Sequence, residues 1–177
     1  IKGATYDEIA RSGGGIKNSV KRLRGASDEI LYQNLKGFIE KFISYGTTTI
    51  EAKSGYGLDL HNEIRMLKIF RRVSGEGPID IIPTFLGAHA VPDEYLEDRE
   101  GYIRLIINEM LPVIVREKLA VFCDVFCEKG YFTPHESSRI LKEANKAGLK
   151  LKIHADQLSD SGGAMVAAEL KAVSAAH

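Results

Sequence analysis

The sequence predicts an α/β fold built on a parallel β-sheet. Five short runs are rich in β-forming residues, and amphipathic segments of helical period lie between them. The runs also lack a clean apolar/polar alternation, as parallel strands covered on both faces do. Strand–helix alternation joins such strands through right-handed crossovers. At 177 residues the chain suits one domain.

The elements follow in order. A helix is predicted after Ser27-Asp28-Glu29, where Ile30, Leu31, Leu35, Phe38, Ile39 and Phe42 recur at three- and four-residue steps. The first strand runs over 47–51. Ile64, Leu67, Ile69 and Val73 mark the second helix, followed by a strand over 79–85. Tyr102, Leu105, Ile106 and Ile107 open a third helix that Pro112 is expected to kink or interrupt. A strand over 121–126 comes next. Thr133-Pro134-His135-Glu136 reads as a capping box with proline at the first helical position. Gly148 supplies the left-handed stop before a strand over 149–153. Ser161-Gly162-Gly163 introduces a last helix through Leu170, and the strand over 172–175 is assigned mainly by its position. An open doubly wound sheet and a closed (β/α)8 barrel both fit this order. No Gly-x-Gly-x-x-Gly follows a strand, and Gly13-Gly14-Gly15 has no strand before it, which argues against a nucleotide loop. A full barrel takes about 250 residues, so a barrel would leave roughly three of its eight strands outside this chain.

Composition narrows the function. Lys plus Arg equals Asp plus Glu at 24 each, without the basic excess of a nucleic-acid binder. No apolar run reaches the roughly 18 residues of a membrane span, and the opening residues lack the basic stretch and apolar core expected of a signal peptide. Cys123 and Cys127 fall in one strand, about 13 Å apart, beyond disulfide reach. They read as buried thiols in a reducing cytoplasm.

The residues with chemistry cluster by position. His89 follows the second strand, His154 ends the fourth, His177 ends the fifth, and Tyr56 lies beyond the first. In a parallel barrel those carboxyl ends converge on the face that carries the active site. His61 and His135 fall in helix-opening turns and read as solvated bystanders, and Glu51 with Lys53 as a structural ion pair. The segment Cys127-Glu128-Lys129 has no assignable role from spacing. Imidazoles at strand ends suit zinc or iron, with a coordination position left for water. The residues alone therefore point to metal-assisted hydrolysis, without naming a substrate.

Gly46-Thr47-Thr48-Thr49-Ile50-Glu51-Ala52-Lys53-Ser54-Gly55-Tyr56-Gly57-Leu58-Asp59 resembles the imidazolonepropionase family of the amidohydrolase superfamily. So do Thr84-Phe85-Leu86-Gly87-Ala88-His89-Ala90-Val91-Pro92, Phe122-Cys123-Asp124-Val125-Phe126-Cys127-Glu128-Lys129-Gly130 and Lys152-Ile153-His154-Ala155-Asp156-Gln157. The opening Gly3-Ala4-Thr5-Tyr6 with Gly13-Gly14-Gly15-Ile16 is similar to the segment after the family's first metal motif.

The resemblance implies a partial (β/α)8 TIM barrel of the metal-dependent hydrolase type, about strands two to six, with residues 1–177 part of one catalytic domain. It implies hydrolysis of 4-imidazolone-5-propanoate to N-formimidoyl-L-glutamate, with zinc or iron as cofactor. His154 matches the strand-five metal ligand and His177 the strand-six histidine that assists deprotonation of water. Tyr6, Tyr56 and His89 match substrate-holding residues. Gln157 matches a catalytic position beside the metal ligand, where an amide can orient substrate but cannot shuttle a proton. The family's His-x-His pair, the arginine for the substrate carboxylate and the strand-eight aspartate would lie outside Ile1–His177. An internal fragment, inactive by itself, is the expectation. A small-molecule substrate, no nucleic acid, no membrane and a homodimer complete it. The competing readings are another cyclic amidase or deaminase of the superfamily, and an inactive partial barrel.

Overall fold

The computed structural model describes Gly3 and residues 15–177. The expectation for Tyr6 lies outside the described residues. Helix α1 spans Gly15–Gly25 and α2 Asp28–Ser44, followed by β1 (Thr49–Lys53), α3 (Leu60–Ser74) and β2 (Asp80–Ala88). A 3-10 turn at Asp93–Tyr95 leads to α4 (Arg99–Leu105), a π turn over Ile106–Met110, and α5 (Leu111–Arg116). Then come β3 (Phe122–Cys127), α6 (Pro134–Lys146), β4 (Lys150–Ala155), α7 (Gly163–Glu169) and β5 (Ser174–Ala176).

All five expected strands form, each displaced by one or two residues from its predicted start. The helix boundaries follow local chemistry. Ser27 accepts from the Ile30 N–H at the head of α2, and Asp59 from that of Asn62 at the head of α3. The capping box of α6 is complete, with Thr133 and Glu136 each accepting from the other's backbone N–H. The third predicted helix is interrupted, but ahead of Pro112 rather than at it. The wide π turn ends at Met110, just before the proline whose nitrogen cannot donate. Helix α1 was not anticipated from the sequence, although Ile16 and Val20 are buried one turn apart.

The strands pair in parallel in the order β1-β2-β3-β4-β5. This sequential order decides between the two architectures. A doubly wound sheet reverses its strand order at a switch point and covers both faces with helices. Unreversed right-handed crossovers put every helix on the same side. Here α3 packs on β2, α6 on β3 and β4, and α7 on β4. On that side Phe85, Cys123, Val125, Leu151 and Ile153 join the continuous core. The sheet is a curled half-barrel, and its concave face carries Glu51, Lys53, Thr84, Asp124, Lys152 and His154, tied to one another by hydrogen bonds and ion pairs.

Candidate functional site at the carboxyl ends of the strands

The loop after β1 is shaped by one carboxylate. Glu63, fully buried in the first turns of α3, accepts from the N–H groups of Gly57 at 2.8 Å and Leu58 at 2.9 Å. The Gly55 N–H reaches both its oxygens, at 3.1 and 3.0 Å. Burial pushes this carboxyl above its ordinary range, against the Ser54 hydroxyl and the three N–H groups, which pull it down. Only glycine fits at Gly55, where φ is +103° and a Cβ would sit 2.7 Å from the Leu86 carbonyl oxygen. At Gly57 a Cβ would come within 2.6 Å of α3 backbone.

His89 stands just past β2. The β2–β3 register shifts between Phe85 and Ala88, and the buried Tyr102 hydroxyl donates to the Gly87 carbonyl there at 2.7 Å. Such an irregularity re-aims the residues that follow. Nδ1 of His89 lies 2.9 Å from the Gly55 carbonyl oxygen. A carbonyl only accepts, so Nδ1 carries the hydrogen and Nε2 holds the lone pair. Burial lowers the pKa of His89, the Gly55 carbonyl working against it, and the neutral ring is favoured. The rings continue as a wall. Tyr56 meets His89 edge-on at 5.0 Å, Phe126 lies 6.0 Å from His89 and 6.2 Å from His154, and His154 lies 5.5 Å from His177.

His154 belongs to β4, one residue before the strand ends, with Ala176 beside it on β5. Its Nδ1 is 3.0 Å from Oδ2 of Asp124, a residue 1% exposed. The approach is off the line a hydrogen bond requires, so Nδ1 and the other Asp124 oxygen are both buried without a hydrogen-bond partner. Lys53 bridges Asp124 at 2.8 Å and Glu51 at 2.9 Å, the ion pair expected from the sequence, and Lys152 reaches Glu51 at 2.8 Å. Burial disfavours the Glu51 carboxylate, but hydrogen bonds from Lys152, Thr84 and Lys53 outweigh it and bring its pKa to about 2.

Among the described residues no three of His, Cys, Asp and Glu are arranged to hold a metal. The fit of zinc or iron is therefore partial. The His154 side chain keeps 20% exposure while its Nδ1 is wholly buried, so its open edge is the far one, which bears Nε2. An imidazole with one nitrogen against a carboxylate and the other toward a pocket has the usual form of a histidine ligand. The other donors would come from outside the described residues.

Gln157 is exposed on a loop held from two sides. Glu128, buried after β3, accepts from the Leu158 N–H at 2.8 Å, the Ser159 N–H at 3.3 Å and the Ser159 hydroxyl. Asp156, at φ +56°, accepts from the N–H groups of Ser161, Gly163 and Ala164 at the head of α7. Those bonds, Ala164 foremost, hold its pKa at about 2. This gives Glu128 the role that spacing alone could not assign.

One pocket of about 410 Å³ gathers Tyr56, His89, His154, Gln157 and His177, with Phe126 and the α1 residues Gly15, Ile16, Asn18 and Ser19. The five site residues predicted within the described range are thus brought together. His61 and His135 are exposed on helices away from it. The α1 contribution was missed, and the signal that could have found it is the Ile16/Val20 step. A larger cavity of about 590 Å³, lined by Val20, Leu58, Val91 and Tyr131 among others, holds none of the histidines.

Comparison with known proteins follows the same direction. No family model matches the chain. Imidazolonepropionase of Geobacillus thermodenitrificans (strain NG80-2) is 51% identical over all 177 residues, and that of Syntrophobacter fumaroxidans (strain DSM 10017 / MPOB) is 48% identical over the same length. Imidazolonepropionase of Thermoanaerobacter pseudethanolicus (strain ATCC 33223 / 39E) is 49% identical. The chain spans 42% of the length of the first two relatives and 43% of the third.

Proposed function

We propose, from a chain that belongs by sequence with the imidazolonepropionases, that it forms one side of the active site of a hydrolase that opens the ring of 4-imidazolone-5-propanoate. The observation that carries this reading is the convergence of His89, His154, His177, Tyr56 and Gln157 on one pocket. They come from four strand ends spread over some 120 residues of sequence, an arrangement typical of barrel enzymes.

Zinc or iron, held by His154 with donors from outside these residues, would supply Lewis acidity toward the ring carbonyl and a lowered pKa for water beside it. His177, its ring 5.5 Å from that of His154, takes the proton of the attacking water. Oxygen joins the carbonyl carbon, the C–N amide bond breaks, and the departing nitrogen takes up a proton to give N-formimidoyl-L-glutamate. His89, neutral with its Nε2 lone pair free, accepts from a ring N–H of the substrate. Tyr56 closes the wall beside it, and Tyr6 is the further substrate contact. Gln157 orients the substrate through its amide and moves no proton.

The test is turnover of 4-imidazolone-5-propanoate by the whole protein, with zinc and iron quantified on the same sample. We expect ring opening, at least about 100-fold slower in His177→Ala. Deamination of an aminated heterocycle, or opening of a different cyclic amide with no action on imidazolone-propanoate, would assign the site to another amidohydrolase.

A further inference from the structure

Glu63 touches neither the pocket nor any histidine, yet it holds the loop whose Gly55 carbonyl meets His89. Its carboxylate collects the N–H groups of Gly55, Gly57 and Leu58, and the carbonyl of Gly55 faces the other way, onto Nδ1 of His89. That carbonyl belongs to the Gly55–Tyr56 peptide, which lies between two peptides whose N–H groups Glu63 holds, and this clamp couples the two side chains. With the N–H groups of Gly55 and Gly57 held by Glu63, the peptides on either side of Gly55–Tyr56 are fixed, and the Gly55 oxygen between them is left facing the His89 ring. Two crowded glycines leave the loop little room to choose another path. Ser54 adds a second tie, accepting from the Leu86 N–H at 3.0 Å while its hydroxyl serves Glu63.

We propose that Glu63 is a positioning residue that sets the tautomer of His89, acting through the Gly55–Tyr56 peptide that it clamps from both sides, so that the pocket meets its ligand with an acceptor at Nε2. A buried carboxylate is suited to this because it only accepts, and every group facing it donates. The consequence is a polarity filter. A ligand with N–H at this wall is bound, and one with a lone pair there meets a lone pair and is rejected. This extends the reading of His89 as a substrate contact and rests on it for the word substrate. The coupling between Glu63 and His89 needs no ligand at all.

The experiment is therefore done without one. Ring 15N shifts of His89 are measured by long-range 15N–1H correlation in the metal-free full chain, at a pH where the ring is neutral. In the unaltered chain we expect protonated Nδ1 and bare Nε2. Glu63→Gln keeps the shape but replaces one carboxylate oxygen with an NH2 group. It then sets donor against donor among the groups around the carboxylate, the Gly55 N–H included. The tautomer ratio should shift by roughly tenfold toward protonated Nε2, the equivalent of one lost hydrogen bond. Asp59→Ala is the comparison, since it loosens the head of the same helix without touching Gly55. It should lower stability and leave the His89 shifts in place. A bare Nδ1 in the unaltered chain overturns the proposal, as does an equal shift in both variants or an unmoved ratio in Glu63→Gln. Loss of turnover with the tautomers as expected would count against the functional reading alone.

Discussion

Asp124 shows what a sequence can and cannot say about a single residue. Glu51 and Lys53 stand two apart on β1, and residues at that spacing share a face of a strand, so their pairing was legible. Their remaining partners lie far along the chain. Lys53 meets Asp124 across 71 positions and Glu51 meets Lys152 across 101. Only the curl of the sheet brings them together, and no local pattern records it. Because Asp124 is 1% exposed, its removal strands a half-buried Lys53 amine beside an imidazole. Glu51 still holds that amine, which tempers the loss. Asp124→Ala should cost about 2 kcal/mol, read from urea midpoints. Doubling the change with Lys53→Met should cost less than the sum of the two singles, since both remove one contact. Strict additivity would mean that the 2.8 Å bridge contributes nothing.

The elements were the most legible scale, because their signals are local. The capping box before α6, the Ser27 start of α2 and the five strand cores all rest on residues within a few positions of one another. Thr133→Ala should lower stability by about 1 kcal/mol, through the loss of one cap hydrogen bond. A change near zero in thermal unfolding would show that Arg99, paired with Glu136 at 2.9 Å, holds that turn without the cap. What escaped was the timing of irregularity. Pro112 was correctly seen as an obstacle, but a helix can widen before a missing donor instead of bending at it. The loop after β1 escaped for a different reason. Its glycines looked like a generic tight turn, while their need comes from Leu86 and from α3, 31 positions and 5 positions away. Gly55→Ala should therefore cost well over about 1 kcal/mol, since it combines a positive φ with contact against a backbone carbonyl. The same variant should disturb the His89 ring shifts, because its carbonyl is the one that ring donates to. An alanine accommodated without loss at Gly55 would contradict the close approach of the two loops.

At the scale of the molecule, strand order separates the two architectures that strand count alone left open. A sequential parallel sheet has one face under helices, and its other face must be made of something that tolerates enclosure. This chain fills it with opposed charges in contact, Glu51 and Asp124 against Lys53 and Lys152. That choice sets how the fold answers acid. Carboxyls held below their unfolded values contribute stability that is complete above about pH 4.5 and is lost as pH falls through the folded value. Glu51 and Asp156, both at about 2, place that loss between roughly pH 4.5 and 2. His89 works in the same direction at a higher pH. Its folded pKa is depressed, so the unfolded chain takes up a proton first, and stability begins to fall below about 6.5. Glu63 opposes them. Its pKa is raised, so its contribution is present in acid and fades as pH rises through its folded value. The depressed carboxyls predict a urea midpoint that declines from pH 4 to pH 2, while between pH 7 and pH 5 His89 and Glu63 act with opposite sign. In His89→Gln the midpoint should fall less, or rise more, between pH 7 and pH 5 than in the unaltered chain, while the decline below pH 4 persists. Should the midpoint stay level down to pH 3, the concave face would not be held by its ion pairs, and the apolar side of the sheet would be carrying the fold alone.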